Sequence, residues 1–95
     1  MKLIRWDAAK NAKLKKERGI GFEEVVACVD AGGLLAIIDH PNQARHPGQK
    51  VWVVAIRGYA HLVPMVVTED EVVLKTIIPS RKATRDYLKR SGHED

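Results

Sequence analysis

The side chains best equipped for chemistry gather toward the C-terminal end of this chain, where Lys75, Arg81, Lys82 and Arg85 fall within one short stretch. A guanidinium group is a planar fork that bonds two phosphate oxygens at once. Arg81 and Arg85 stand one turn apart if the stretch is helical, which puts both forks on one side. Lys75 interrupts the apolar run Val72 to Ile78, where a cation is costly unless it faces solvent or a partner. His61 is the histidine best suited to acid–base work, because an imidazole titrates near neutral pH; a satisfied structural histidine is the plainer alternative. His40, His46 and Lys50 lie in or beside a polar segment, where they either reach a substrate or are simply solvated. The chemistry these groups suit is the binding of a phosphodiester and the stabilisation of charge developing on it.

Other site types lack their residues. Asp39, His40 and His46 are neighbours but match no zinc spacing, and the remaining acids are too scattered for a two-metal nuclease centre. Cys28 is the single cysteine and sits in an apolar helical segment. Gly32-Gly33 follows a helix rather than a strand and lacks the lysine of a nucleotide loop. No metal and no cofactor are expected.

The 95 residues suffice for one domain, 1–95, with one core. No apolar run approaches the ~20 residues of a membrane span, and the N-terminus lacks the apolar centre of a secretory signal. A cytoplasmic protein is the default expectation. The formal charge is +4, and its distribution is uneven. Residues 1–20 carry seven Lys or Arg against two acids, residues 75–90 carry six against one, and residues 21–39 hold four acids and no base. Two basic blocks attract a polyanion if folding puts them on one face; otherwise they solvate two surface helices.

The elements that must position these groups follow from periodicity. Leu3 to Trp6 alternates like an edge strand, and Asp7 can cap a helix running from Ala8 to Arg18, closed by Gly19. Phe22, Val25, Val26 and Val29 mark one buried face of a second helix that ends at Gly32-Gly33. Leu34 to Asp39 reads as a strand, followed by an irregular loop from His40 to Gln49. Val51 to Ile56 and Tyr59 to Val67 form a hairpin through Arg57-Gly58, with Pro64 requiring an edge or a bulge. Val72 to Ile78 is a last strand, on which Lys75 shares a face with Val73 and Ile77. Ser80 then caps a cationic helix. The expected fold is α+β, an antiparallel β-sheet with two N-terminal helices and one C-terminal helix, in the order β-α-α-β-β-β-β-α.

Three segments carry a family likeness. Arg5-Trp6-Asp7-Ala8-Ala9-Lys10, Arg18-Gly19-Ile20-Gly21-Phe22-Glu23-Glu24 and Ile77-Ile78-Pro79-Ser80-Arg81-Lys82-Ala83-Thr84 resemble, in the same order, motifs of the BrnT family of bacterial toxins. The chain has Arg18 where that family tends to have His, Lys75 where it often has Arg, and Pro79-Ser80-Arg81 in place of Ser-Ala-Arg. The resemblance implies a RelE-like fold and a ribonuclease acting as the toxin of a type II toxin–antitoxin pair, bound and silenced by a cognate antitoxin. Such an enzyme cuts RNA without metal: a base takes the 2′-OH proton, cations stabilise the phosphate, and an acid protonates the leaving 5′-oxygen.

On that resemblance the catalytic candidates are Arg81, Lys75 and His61. The RNA-binding candidates are Lys10, Lys13, Arg18, Lys50, Lys82, Arg85 and Tyr87, with the two basic helices bracketing a groove across the sheet. Lys75 contributes if its face is the helix-free side. Trp6 and Tyr87 can stack on unpaired bases, although Trp6 serves equally as an apolar plug. Two other classes fit the same residues. A nucleic-acid-binding module needs the basic blocks but no acid–base group, and a protein-interaction module uses them to recognise an acidic partner.

Overall fold

The computed structural model describes residues 2–89; Arg90 of the second basic block lies outside them. In chain order the elements are β1 (Leu3–Trp6), α1 (Ala8–Arg18), α2 (Phe22–Asp30), β2 (Leu34–Asp39), β3 (Gln49–Ile56), β4 (Tyr59–Val67), β5 (Glu71–Leu74), β6 (Ile78–Pro79) and α3 (Arg81–Ala83), which continues as a π-helical segment, Thr84–Lys89. No helix among the described residues is long and apolar enough to cross a membrane.

The strands form one sheet in the order β1-β5-β4-β3-β2, with β6 also beside β4. The α+β class is the one expected, but the sheet is mixed rather than antiparallel. β1 runs parallel to β5, pairing Leu3 with Glu71 and Trp6 with Leu74, while the other pairings are antiparallel. A two-residue turn fixes an antiparallel hairpin locally, whereas β1 joins a strand more than sixty residues away, as the Leu3–Glu71 register shows.

The expected last strand is broken into β5 and β6, and the cause lies across the ladder. Within a strand the N–H and C=O of one residue point to the same side. Pro64 accepts from the Lys75 amide at 2.9 Å, so its missing N–H faces that same seam and the ladder lapses there. The break also resets the pleat. Leu74 and Ile77 are both buried in the same cluster although they stand three residues apart, a spacing that strict alternation would put on opposite faces. Ile77 therefore does not share a face with Val73 and Lys75, as unbroken alternation required.

Both faces of the sheet are covered. On the first, Leu14, Ile20, Phe22 and Val25 of the α1–α2 region pack on Val54, Ile56, Val63, Met65 and Leu74. Trp6 joins this side, its ring stacked 5.7 Å from that of Phe22, and so acts as an apolar plug. Each fully buried side chain of this kind contributes about 1.5–3 kcal/mol. On the second face a smaller cluster joins Val53 and Ala60 to Ala83, with Leu62 and Leu88 against it. Ala83 and Leu88 are five residues apart, out of phase on a 3.6-residue helix but one turn apart on a π-helix. That spacing accounts for the wide turn.

Local signals hold at the helix ends. Asp7 accepts from the Ala9 amide, and Gly19, at φ 72°, donates its N–H to the Lys15 carbonyl. Ser80 accepts from the Ala83 amide at 3.0 Å. At the α2–β2 junction Gly33 is needed for close approach: a Cβ there would lie 2.8 Å from the Cys28 carbonyl oxygen and 3.0 Å from that of Ala55.

Candidate nucleic-acid interface

Register decides which face each candidate occupies. On β4, His61, Val63 and Met65 alternate onto the face covered by α1 and α2, while Leu62, Pro64 and Val66 point the other way. Lys75 follows Leu74 opposite Pro64, and so belongs with Val73 on the second face. That face also carries the helix from Arg81 onward, because Ala83 and Leu88 pack on it. Lys75, Arg81, Lys82 and Tyr87 thus gather on one side of the sheet. It is not a helix-free side, since the C-terminal helix crosses it.

The turn into that helix is fixed by one hydroxyl. β6 ends at Pro79, the Ser80 amide donates to the Ala60 carbonyl at 3.0 Å, and the Ala60 N–H donates to Thr84 Oγ1 at 2.8 Å. Thr84 Oγ1 in turn donates to the Ser80 carbonyl, also at 2.8 Å. Thr84 therefore extends the sheet edge while anchoring the helix start, and with it Arg81. Arg81, Lys82 and Lys75 are exposed, and none has a carboxylate within ion-pair distance among the described residues. Cations left without carboxylate partners on one face are available to an anion from solution.

Beside them lies a groove of about 290 Å³ between the helix and the sheet. Its floor is Val53, Leu62, Ala83 and Ile38, and its rim is Ser80, Lys82, Asp86 and Tyr87. A second hollow, about 260 Å³, is lined by Arg5, Trp6, Asp7 and Val73.

Four expected site residues are buried or already engaged. His61 is 5% exposed on the opposite, helix-covered face, with Nδ1 2.9 Å from the carbonyl of Tyr59 on its own strand, so it does not meet Lys75 and Arg81 on their side of the sheet. Its alternation with Val63 and Met65 was the signal for burial. Arg18 reaches from the end of α1 and donates to the Ile77 carbonyl, which staples α1 to the β5–β6 break. Lys50 pairs with Asp39 on β2, and Arg85 with its neighbour Asp86 at 3.5 Å.

Lys10 and Lys13 have no carboxylate partner among the described residues, but α1 packs on the first face. The α1 lysines therefore lie on the opposite side of the sheet from the C-terminal block, and the two basic helices do not bracket one groove across it; Arg5, in register with Val73, is on the C-terminal block's side but is paired with Glu71. Among the described residues no three His, Cys, Asp or Glu side chains converge to hold a metal. His40 and His46 do meet, with ring centroids 4.2 Å apart, but their Nδ1 atoms face the Asn42 amide and the Gln49 side chain.

Sequence reasoning missed two groups. Asp86 stands one turn after Lys82 and shares the groove rim with it, a spacing visible in the chain. Asn11 lies among the lysines of α1, yet it is 6% exposed: its Oδ1 accepts from the Phe22 amide at 2.7 Å and its Nδ2 donates to Glu23. The Asn11 Nδ2 donation, more than the bonds from the Glu23 amide and Lys15, holds the Glu23 carboxyl at about 2, below its ordinary 4.5. Glu24 holds the Arg57 guanidinium more firmly charged through hydrogen bonds at 2.8 and 2.7 Å.

Fold and site together define an α+β protein whose mixed sheet carries a cationic, grooved face. Compared with known proteins, the chain matches no family model, no curated protein and no solved structure.

Proposed function

We propose that this chain is a RelE-like, metal-independent endoribonuclease of the cytoplasm, the toxin of a toxin–antitoxin pair. Its motifs resemble those of the BrnT family, and the observation that carries the reading is the placement of Lys75 and Arg81, without carboxylate partners, on one face of the sheet. The Arg81 fork grips two non-bridging oxygens of the scissile phosphate, and the Lys75 ammonium adds charge from the strand side. When the 2′-OH attacks phosphorus its proton passes to water, the bond to the 5′-oxygen breaks, that oxygen takes a proton from water, and a 2′,3′-cyclic phosphate remains. The negative charge that grows on the phosphoryl oxygens is where fixed cations act, and one such donor is worth roughly 10²–10³ in rate. A cognate antitoxin silences the enzyme by covering this face.

The test is cleavage of a structureless RNA by the purified protein in EDTA. The expected result is cyclic-phosphate products, a rate loss of roughly 10²–10³-fold in Arg81→Ala, and growth arrest on expression that the same substitution relieves. Intact RNA with a folded protein overturns the reading. One observation favours the alternative of binding without cleavage: His61, the expected acid–base group, is buried on the opposite face. That alternative predicts salt-sensitive RNA affinity and no products.

A further inference from the structure

The groove between the last helix and the sheet is small, apolar along its floor and polar at its rim. At about 290 Å³ it sits at the lower end of ligand pockets, which run from roughly 300 to 1,000 Å³. Val53, Leu62 and Ile38 give it an apolar floor, and Tyr87, 37% exposed, stands at its rim. Aromatic rings and apolar surfaces of this kind receive unstacked bases. Arg81 is exposed at the helix start between two rim residues, Ser80 and Lys82, but does not itself line the groove, so it can meet only the part of a nucleotide that projects beyond the rim.

The rim selects among bases. The Lys82 ammonium offers only donors, and a carboxylate at Asp86 offers only acceptors. A carboxylate needs two adjacent N–H groups to use both oxygens, and guanine presents them at N1 and N2, with O6 alongside to accept from an ammonium. Adenine and cytosine each present one amino group beside an acceptor nitrogen, which a carboxylate repels. Uracil presents one N–H between two carbonyls. Arg85 reaches Asp86 at only 3.5 Å in an exposed pair, a contact of small worth that a base can displace.

We infer that this groove is a guanine-binding site, with the base held between Lys82 and Asp86 and its phosphate turned toward Arg81. This deepens the ribonuclease reading and rests on it only for the phosphate at Arg81, because the base contacts stand without cleavage. The experiment titrates the full chain with guanosine, inosine, adenosine, cytidine and uridine 5′-monophosphates, following amide NMR shifts. Guanosine monophosphate is expected to bind about tenfold or more tightly than the adenine, cytosine and uracil nucleotides, with shifts at Lys82, Asp86 and Tyr87. Inosine monophosphate, which lacks the N2 amino group, falls between.

Asp86→Asn, an exposed change whose fold the same spectra check, is expected to abolish the preference. Equal binding of all five, shifts away from the groove, or an unchanged preference in Asp86→Asn overturns the inference. RNA cleavage with no selectivity among the five overturns it too and leaves the nuclease standing. Guanine selectivity without cleavage supports the site and removes the nuclease.

Discussion

Thr84 and Asn11 each tie together two elements through buried hydrogen bonds, and neither is a charged or catalytic type. The Thr84 hydroxyl serves the Ala60 N–H and the Ser80 carbonyl at once, and the residue is buried. Thr84→Val keeps the shape but leaves the buried Ala60 donor unpaired, so it is expected to lower stability by about 1–3 kcal/mol in urea denaturation. Asn11 joins α1 to the start of α2 through Phe22 and Glu23, and the second of these bonds makes stability sensitive to acid. The folded carboxyl of Glu23 titrates at about 2, below its ordinary 4.5. Its contribution is therefore complete above 4.5 and is lost as pH falls from there toward 2. Urea midpoints measured between pH 5 and pH 2.5 are expected to fall less steeply in Glu23→Gln than in the parent chain. Parallel slopes would sink the assignment.

At the scale of elements, junctions carry more information than the strands and helices themselves. The chain turns from α2 into β2 where the Gly33 amide donates to the Cys28 carbonyl at 2.7 Å and the Gly33 carbonyl accepts from Ala55 at 2.8 Å. A side chain at this position meets backbone oxygens that cannot step aside. Gly33→Ala is expected to cost about 1–3 kcal/mol, read as a lower denaturation midpoint with the helical signal retained at low denaturant. The Pro64 seam works in the opposite sense: a missing donor on a central strand lets the neighbouring strand break. That break turns Ile77 into the core and leaves Lys75 on the outer face. Arg18 then ties the end of α1 to the Ile77 carbonyl at the same point.

For the whole molecule, the net charge of +4 matters less than its division between two sides of one sheet. The block on α1 and the block on the C-terminal helix cannot grip one short strand together. On the ribonuclease reading, a trinucleotide contacts only the Lys75–Arg81–Lys82 face, whereas a long RNA can wrap around the sheet edge to α1. Lys10→Glu with Lys13→Glu is expected to weaken binding of a long RNA and leave a trinucleotide nearly unaffected. Lys82→Glu weakens both. Fluorescence anisotropy at several salt concentrations checks this, because each lost phosphate contact lowers the salt slope by about one. An equal loss for both ligands in the α1 variant would mean that the blocks act on a single groove after all.

What the sequence determines here is what neighbours within a few residues decide. Asp7 and Gly19 bound α1, the spacing of Phe22 and Val25 turns α2 inward, Arg57-Gly58 closes the β3–β4 hairpin, and Ser80 starts the last helix. In each case the cause is a cap, a turn or a period that acts within one element. The cationic stretch from Lys75 to Arg85 was legible for the same reason. Only the tertiary structure decides which side of the sheet each residue faces, since that depends on register between strands remote in sequence. The parallel β1–β5 pairing, the seam at Pro64 and the crossing of the last helix over the second face are of this kind. They separate His61 from Arg81 and the lysines of α1 from the second basic block, and they place Asp86 beside Lys82 over a groove. Residue types set the available chemistry, and strand register chose which of them share a face.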